Sequence, residues 1–285
     1  MSGSLAETET RWARVTRHRP CVVCGHVDWC GYSADGSVAI CMRIKSDRPT
    51  RNGGWLHRLA YSAPRQVPRL HVPPPRATAP RTTDWIALLQ RFARDTRAAE
   101  VERLAATLGV SPGSLFRLGI VWAAPRHAWG FPMRDAAQKV IGIRLRTESG
   151  HKWAVTGSHN GLFWPEDLTG AGPLLVAEGP TDVAALLDLG YATIGRPSCA
   201  GTIEAVVEAV RRLRRRDVVI VADADGPGID GADRLAQALT EKGHRPKVIR
   251  PVQGKDARAW VQAGATRTVV DTAIASALYW RAPHG

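Results

Sequence analysis

The stretches 174-LLVAEGPTDVAALLDLG-190 and 217-DVVIVADADGPGIDGADRLAQALTEKG-243 decide the fold. Each opens on a short apolar run, reaches an acidic residue at its end, and continues with apolar residues at helical spacing. The runs "LLVA" and "VVIVA" are too short for helices and read as buried strands; Gly190 closes the helix after the first. Between them, "YATIG" (191–195) reads as a strand and "GTIEAVVEAVRRLRRR" (201–216) as a helix. Beyond them, "RPKVIRP" (245–251) reads as a strand and "DARAWVQAG" (256–264) as a helix. Strands and helices in turn predict an α/β fold with a parallel sheet. Ligands of such sheets bind beyond the carboxyl ends of the strands.

Acidic residues stand at those ends. Glu178 follows "LLVA", and Asp223 and Asp225 follow "VVIV" two residues apart, which on an extended chain places both on one side. Asp256 comes a short loop after "KVIRP". Carboxylates converging there repel one another unless a hard cation lies between them. Magnesium, or manganese, fits, because it takes a few carboxylates, keeps several waters and binds substrate phosphates. The alternative is that these acids cap the following helices, an alternative most credible for Asp225 before Gly226.

Working upstream, "AWGFPMRD", "KVIGIRLRT" and "HKWAVTG" carry strand signals, and the alternation in "VIGIRLR" sets Arg144 and Arg146 on one face. "DWIALLQRFARD" and "TRAAEVERLAATLG" have helical periodicity, and "SPGSLFRLG" starts a helix with Ser111 as N-cap and Pro112 at the first position. "LAATLGVSPGSLFRLG" imitates a helix-turn-helix, but two packed core helices explain it better. "SAPRQVPRLHVPPPRATAPRTT" has six prolines and four arginines and no acidic residue, and reads as an extended linker. The expected division is residues 1–60, a linker at 61–83, a basic subdomain at 84–172, and residues 173–285.

Before the linker, "CVVCGHVDWCGYSADGSVAIC" (21–41) holds four of the five cysteines. A two-residue turn at Asp35-Gly36 pairs Tyr32 with Ala39 and Gly31 with Ile40, bringing Cys30 opposite Cys41. With the Cys21/Cys24 turn this makes a four-cysteine zinc-ribbon site for one structural zinc, Cys21, Cys24, Cys30 and Cys41 filling all four positions. His26 is an alternative ligand; His57 reads as a surface residue. Cys199 stands apart and is expected to be buried. So small a module draws much of its folding energy from the metal.

The 285 residues carry 39 Lys and Arg against 26 Asp and Glu, and the pI is about 10.3. A basic balance of this size favours a polyanionic partner, most often nucleic acid. Much of "RRLRRR" (211–216) is accounted for as cations at a helix C-terminus. No apolar stretch reaches membrane-spanning length, and the N-terminal residues lack the apolar core of a secretory signal. A cytoplasmic chain with no membrane partner is expected, where clustered cysteines are metal ligands more often than disulfides.

"VAEGPTDVAAL" followed by "VVIVADADGPGIDGADRLAQAL" resembles a Toprim domain, shared by bacterial-type primases, type IA and II topoisomerases, OLD-family nucleases and RecR. "GKDA" (254–257) resembles the third acidic segment of phage primases, and "FPMRDAAQKVIGIRLRTESGHKWAVTGSHNGLF" the basic N-terminal subdomain of a primase core. The order zinc ribbon, linker, basic subdomain, Toprim is similar to that of phage primase–helicases and DnaG-like primases. Two features depart from it: the ribbon lacks a second CxxC, and no G-x-x-x-x-G-K-[ST] motor motif occurs. The resemblance implies a primase that makes short RNA primers from NTPs on a single-stranded DNA template, working with a separate replicative helicase. It implies Glu178 as general acid/base or metal-linked residue, Asp223 and Asp225 as magnesium ligands with Asp256 beside them, and Asp182 and Asp230 as second-tier candidates. Arg144, Arg146, Lys152 and Lys255 would meet template or nucleotide, and Trp29 and Trp55 could stack on bases or pack about the metal. A Toprim nuclease, or a non-catalytic RecR-like DNA-binding module, is the alternative.

Overall fold

The computed structural model describes residues 12–50, 53–59, 83–170, 172–199, 201–214 and 217–282. The expected linker, apart from Thr83, lies outside the described residues. The chain forms two compact units, residues 1–78 and 79–285. Among the described residues no helix is long and apolar enough to cross a membrane.

The first unit is an antiparallel sheet of β1 (Trp12–Arg14), β2 (Gly31–Ser33), β3 (Val38–Cys41) and β4 (Trp55–Arg58), in that spatial order. Gly31 pairs with Ile40 and Tyr32 with Ala39, the register the Asp35-Gly36 turn predicts. Gly36 takes φ +72°, and the Asp35 carboxylate accepts from the Ser37 N–H at 3.1 Å, so the turn chemistry sets the pairing. β1 and β4 have no clear sequence signal: each is three or four residues long, and neither has a fully buried residue. Val15, Tyr32 and Ala39 are buried with three of the cysteines, a core of very few side chains.

The second unit begins with α1 (Trp85–Arg94), α2 (Ala98–Leu108) and α3 (Pro112–Arg117). Ser111 caps α3 by accepting from the Ser114 N–H at 3.1 Å. Leu104, Leu108, Leu115 and Leu118 are buried in the main core, so the segment that imitates a helix-turn-helix is a pair of packed helices. An antiparallel sheet follows, of β5 (Val121–Ala123), β6 (Ala128–Arg134), β7 (Val140–Arg146) and β8 (Lys152–Ala154). On β7, Ile143 and Leu145 are buried while Arg144 and Arg146 are half-buried on the opposite face, as the alternation requires.

The parallel sheet is built from β9 (Leu174–Glu178), β10 (Thr193–Arg196), β11 (Asp217–Val221) and β12 (Arg245–Ile249), ordered β10-β9-β11-β12. Its helices are α4 (Pro180–Asp188), α5 (Ile203–Arg212), α6 (Gly226–Glu241), α7 (Ala257–Gln262) and α8 (Arg267–Ser276). Leu174, Val176, Ile194, Val218 and Ile220 share one core with α5 and α6. Leu175, Ala177, Val219 and Val221 share the other with Val183 of α4 and Trp260 of α7. A sheet covered on both faces requires the continuous apolar runs seen in the sequence. Arg211 and Arg212 stand in the last turn of α5, the helix-end position read for them, and both also pair with Glu208 at 2.7 Å.

Two expectations change. β11 ends at Val221, so Asp223 and Asp225 lie in the loop beyond it and strand alternation does not set their directions. Cys199 is half-buried rather than buried, because the loop after β10 lies at the sheet's open end.

The helical layer is tied to the parallel sheet at Asp188. Its carboxylate, at the end of α4, accepts from the Ser111 N–H at 2.6 Å, from Ser111 Oγ at 2.5 Å and from Ser114 Oγ. Asp188→Ala removes all three bonds and should lower unfolding free energy by about 1–2 kcal/mol. Asp188→Asn should lose less, a ranking that urea unfolding of the three proteins checks.

Candidate functional site

In the first unit, the Sγ atoms of Cys21, Cys24, Cys30 and Cys41 all lie within 4.8 Å of one another. Cys24 and Cys30 are 3.8 Å apart, about the edge of a tetrahedron with metal–sulfur bonds of about 2.3 Å and far beyond a disulfide bond of about 2.05 Å. Backbone N–H groups approach the sulfurs, Ile44 to Cys41 at 3.3 Å and Met42 to Cys30 at 3.5 Å. The His26 N–H lowers the Cys24 pKa to about 7, whereas burial pushes Cys30 up to about 12. His26 is exposed and outside the cluster. His57 is half-buried, with Nε2 3.0 Å from the Ile44 carbonyl. Among the described residues this is the one group of three or more His, Cys, Asp and Glu side chains whose ligand atoms lie so close together, and four soft sulfur donors suit zinc.

In the second unit, a cleft opens at the carboxyl ends of the parallel strands. Glu178, Asp182, Asp223, Asp256 and Lys255 line it together with Arg144, Arg146 and Lys152 from the antiparallel sheet. Glu178 is the last residue of β9, and Gly179 turns the chain into α4 at φ +86°, a conformation that favours glycine. Asp182, in the first turn of α4, is buried, and its Oδ1 accepts from the Arg258 N–H at 3.0 Å. Burial, then the Asp256 charge, raises its pKa to about 8. Asp223 is raised to about 7 by burial and then by Glu178, Asp256 and Asp225.

Asp225 and Asp256 have second roles as helix caps. Asp225 accepts from Gly228 N–H at 2.9 Å at the start of α6, and Asp256 from Ala259 N–H at 2.7 Å at the start of α7. The Gly228 N–H, then Lys255 at 3.1 Å, hold Asp225 below the usual carboxylate range. Asp256 both caps a helix and lines the cleft, whereas Asp225, capping α6 and paired with Lys255, is not among the residues that line it. Arg144 and Arg146 face the acids from β7, their pKa values lowered by burial. Lys152, opposite Arg146 on β8, is exposed. Asp230 is exposed on α6 and does not line the cleft. Two cations not singled out in the sequence also stand near. Arg258 follows the third acid by two positions, and Arg196 ends the strand beside Glu178. A basic residue closing an apolar strand, as in "TIGR" (193–196), was the available signal.

The donor chemistry suits a hard divalent cation. Clustered carboxylates raise one another's proton affinity, as Asp223 shows, and a cation with partial hydration needs only one or two of them directly.

Residues 175–260 match the family model described as Toprim-like. No curated protein sequence matches the chain. Among solved structures, the fold is similar to the Escherichia coli primase catalytic core, with TM-score 0.53 and 17% identity over 68% of this chain and 79% of that one. The DnaG primase catalytic domain bound to single-stranded DNA is similar at TM-score 0.53 and 17% identity, over 68% of this chain and 77% of that one. The Aquifex aeolicus primase, comprising zinc-binding and RNA polymerase domains, is similar at TM-score 0.54 and 13% identity, over 68% and 60%. The chain thus carries a Toprim-like domain within a DnaG-like fold.

Asp182 makes stability pH-dependent. Its folded pKa is about 8, against an ordinary value of 3.8. Between these values the unfolded chain has lost a proton that the folded one keeps, so stability falls as pH rises. Asp182→Asn retains an oxygen for the Arg258 N–H and abolishes that term. Without divalent cations, the variant should match the parent protein near pH 4 and become progressively more stable than it up to about pH 8. Urea unfolding across that range measures the difference.

Proposed function

We propose that this protein is a DNA primase, a nucleotidyltransferase that joins NTPs into short RNA primers on a single-stranded DNA template. The observation that carries this reading is the facing of Glu178, Asp223 and Asp256 by Arg144, Arg146 and Lys152 across one cleft. The DnaG-like fold supports it. In this reading residues 1–60 read the template, 61–83 link, 84–172 supply the basic subdomain and 173–285 the acidic one.

Glu178, Asp223, Asp225 and Asp256 would hold magnesium or manganese. Such an ion, when bound, lowers the pKa of an attacking hydroxyl and offsets charge on the leaving pyrophosphate. Arg144, Arg146 and Lys152 bind the triphosphate and template phosphates, and Lys255 adds a cation beside Asp225. The Glu178 carboxylate takes the proton of the primer 3′-hydroxyl. Phe131 and Phe163 form the apolar floor that limits water beneath these groups.

The four thiolates hold one structural zinc, leaving no open position for chemistry. Trp29, 68% exposed, offers a free ring face to a template base. Trp55 instead sits half-buried on β4, with the Lys45 ammonium 6.0 Å from its ring. In this reading a replicative helicase is the further partner.

The test is to incubate the protein with single-stranded DNA, labelled NTPs and magnesium. Short labelled RNA is expected; template degradation would mark a nuclease, and binding alone a DNA-binding module. Glu178→Gln and Asp223→Asn should each reduce product formation by about 10²–10⁴-fold with unfolding unchanged or improved. Metal analysis should find one zinc per chain, lost in a Cys30→Ser, Cys41→Ser double variant. Trp29→Ala should weaken template binding by about 1–3 kcal/mol, read by fluorescence anisotropy.

A further inference from the structure

Arg196 is a buried cation that is not among the residues lining the acidic cleft. It ends β10 directly beside Glu178 at the end of β9, the two being register partners in parallel strands. Positions level in parallel strands point to the same face, and here that face is the one packed by α5 and α6, since Val176 and Ile194 pair in the same core. Its side chain is only 3% exposed. One terminal nitrogen donates to the Cys199 carbonyl at 3.1 Å and to the Gly231 carbonyl at 3.4 Å. Nε is buried without a partner. Among the described residues no carboxylate lies within 4.0 Å of the guanidinium. Gly231 makes the arrangement possible, because a Cβ there would lie 2.5 Å from the Cys199 carbonyl oxygen.

A guanidinium stays charged even when buried. Its burial works against the charge, while Glu178 and Asp223 favour it. With no carboxylate in direct contact, its field acts on the acidic group as a whole, through a medium that screens it far less than water.

We propose that Arg196 is a positioning residue whose fixed positive charge, seated beneath the Glu178 end of the cleft, keeps free divalent cations loosely bound, so that the cation enters with the nucleoside triphosphate. This rests on reading the acids as a cation site. The triphosphate, held by Arg144, Arg146 and Lys152, contributes further oxygens and negative charge that offset the fixed charge of Arg196. A charge that only braced the loop at Cys199 would have the opposite signature: its removal would loosen the site.

Manganese binding to the zinc-loaded full chain, followed by electron spin resonance, tests this without any activity measurement. Without nucleotide, Arg196→Met should bind manganese about tenfold more tightly than the parent protein, and Arg196→Lys, which keeps the charge, should stay near the parent value. Unchanged or weaker binding by a folded Arg196→Met protein overturns the proposal, as does tight binding by Arg196→Lys. If Arg196→Met does not fold, the parent protein decides: a non-hydrolysable triphosphate should tighten manganese binding by about tenfold or more. Equal affinity with and without triphosphate overturns the proposal while leaving the cation site standing; no manganese binding in either state removes the cation site itself.

Discussion

Like charges crowded at the carboxyl ends of parallel strands are the constraint around which the second unit is organised. Glu178, Asp182, Asp223, Asp225 and Asp256 come from three strand ends and three following helices. Left alone they would oppose folding, and the structure answers by several routes. Asp182 is buried and holds its proton to about pH 8. Asp225 and Asp256 spend their charge on helix N-termini, where unpaired N–H groups and the helix dipole favour an anion. Lys255 pairs with Asp225. Asp223 has neither a cap nor a direct ion pair among the described residues, and its pKa near 7 records its burial first and then the remaining repulsion.

The antiparallel sheet supplies the opposite sign without disturbing its own core. Alternation along β7 buries Ile143 and Leu145 on one face and turns Arg144 and Arg146 to the other. The same two-residue period therefore builds a hydrophobic layer and a cationic wall. The cleft therefore presents acids on one wall and bases on the other.

The first unit meets a different constraint. Four strands of three or four residues pack around Val15, Tyr32 and Ala39, too little apolar surface for independent stability. The thiols occupy the place that a larger core would fill. Three of the four are buried, and gathering them unmetallated leaves Cys30 a thiol whose pKa is pushed up to about 12. Binding energy at such a centre is folding energy.

Much of this was determined by sequence alone. The Asp35-Gly36 turn specified the hairpin register, since a two-residue loop admits one pairing and so fixes Cys30 beside Cys41. Apolar runs broken by glycine specified the parallel strands and their helices, and put Glu178 at a strand end. β1, β4 and β5 escaped because strands so short carry too few positions to show a period. The directions of Asp223 and Asp225 were decided by β11 stopping at Val221 and by Gly228 N–H and Lys255 claiming Asp225. The protonation of Asp182 depends on its burial and then on the charge of Asp256, far along the chain, and the seat of Arg196 on the Gly231 carbonyl of α6, 35 residues away. Local pattern determines which face of an element a side chain occupies; which charges and carbonyls meet it there is decided only when distant elements pack, because burial and Coulomb energies depend on separation in space and not along the chain.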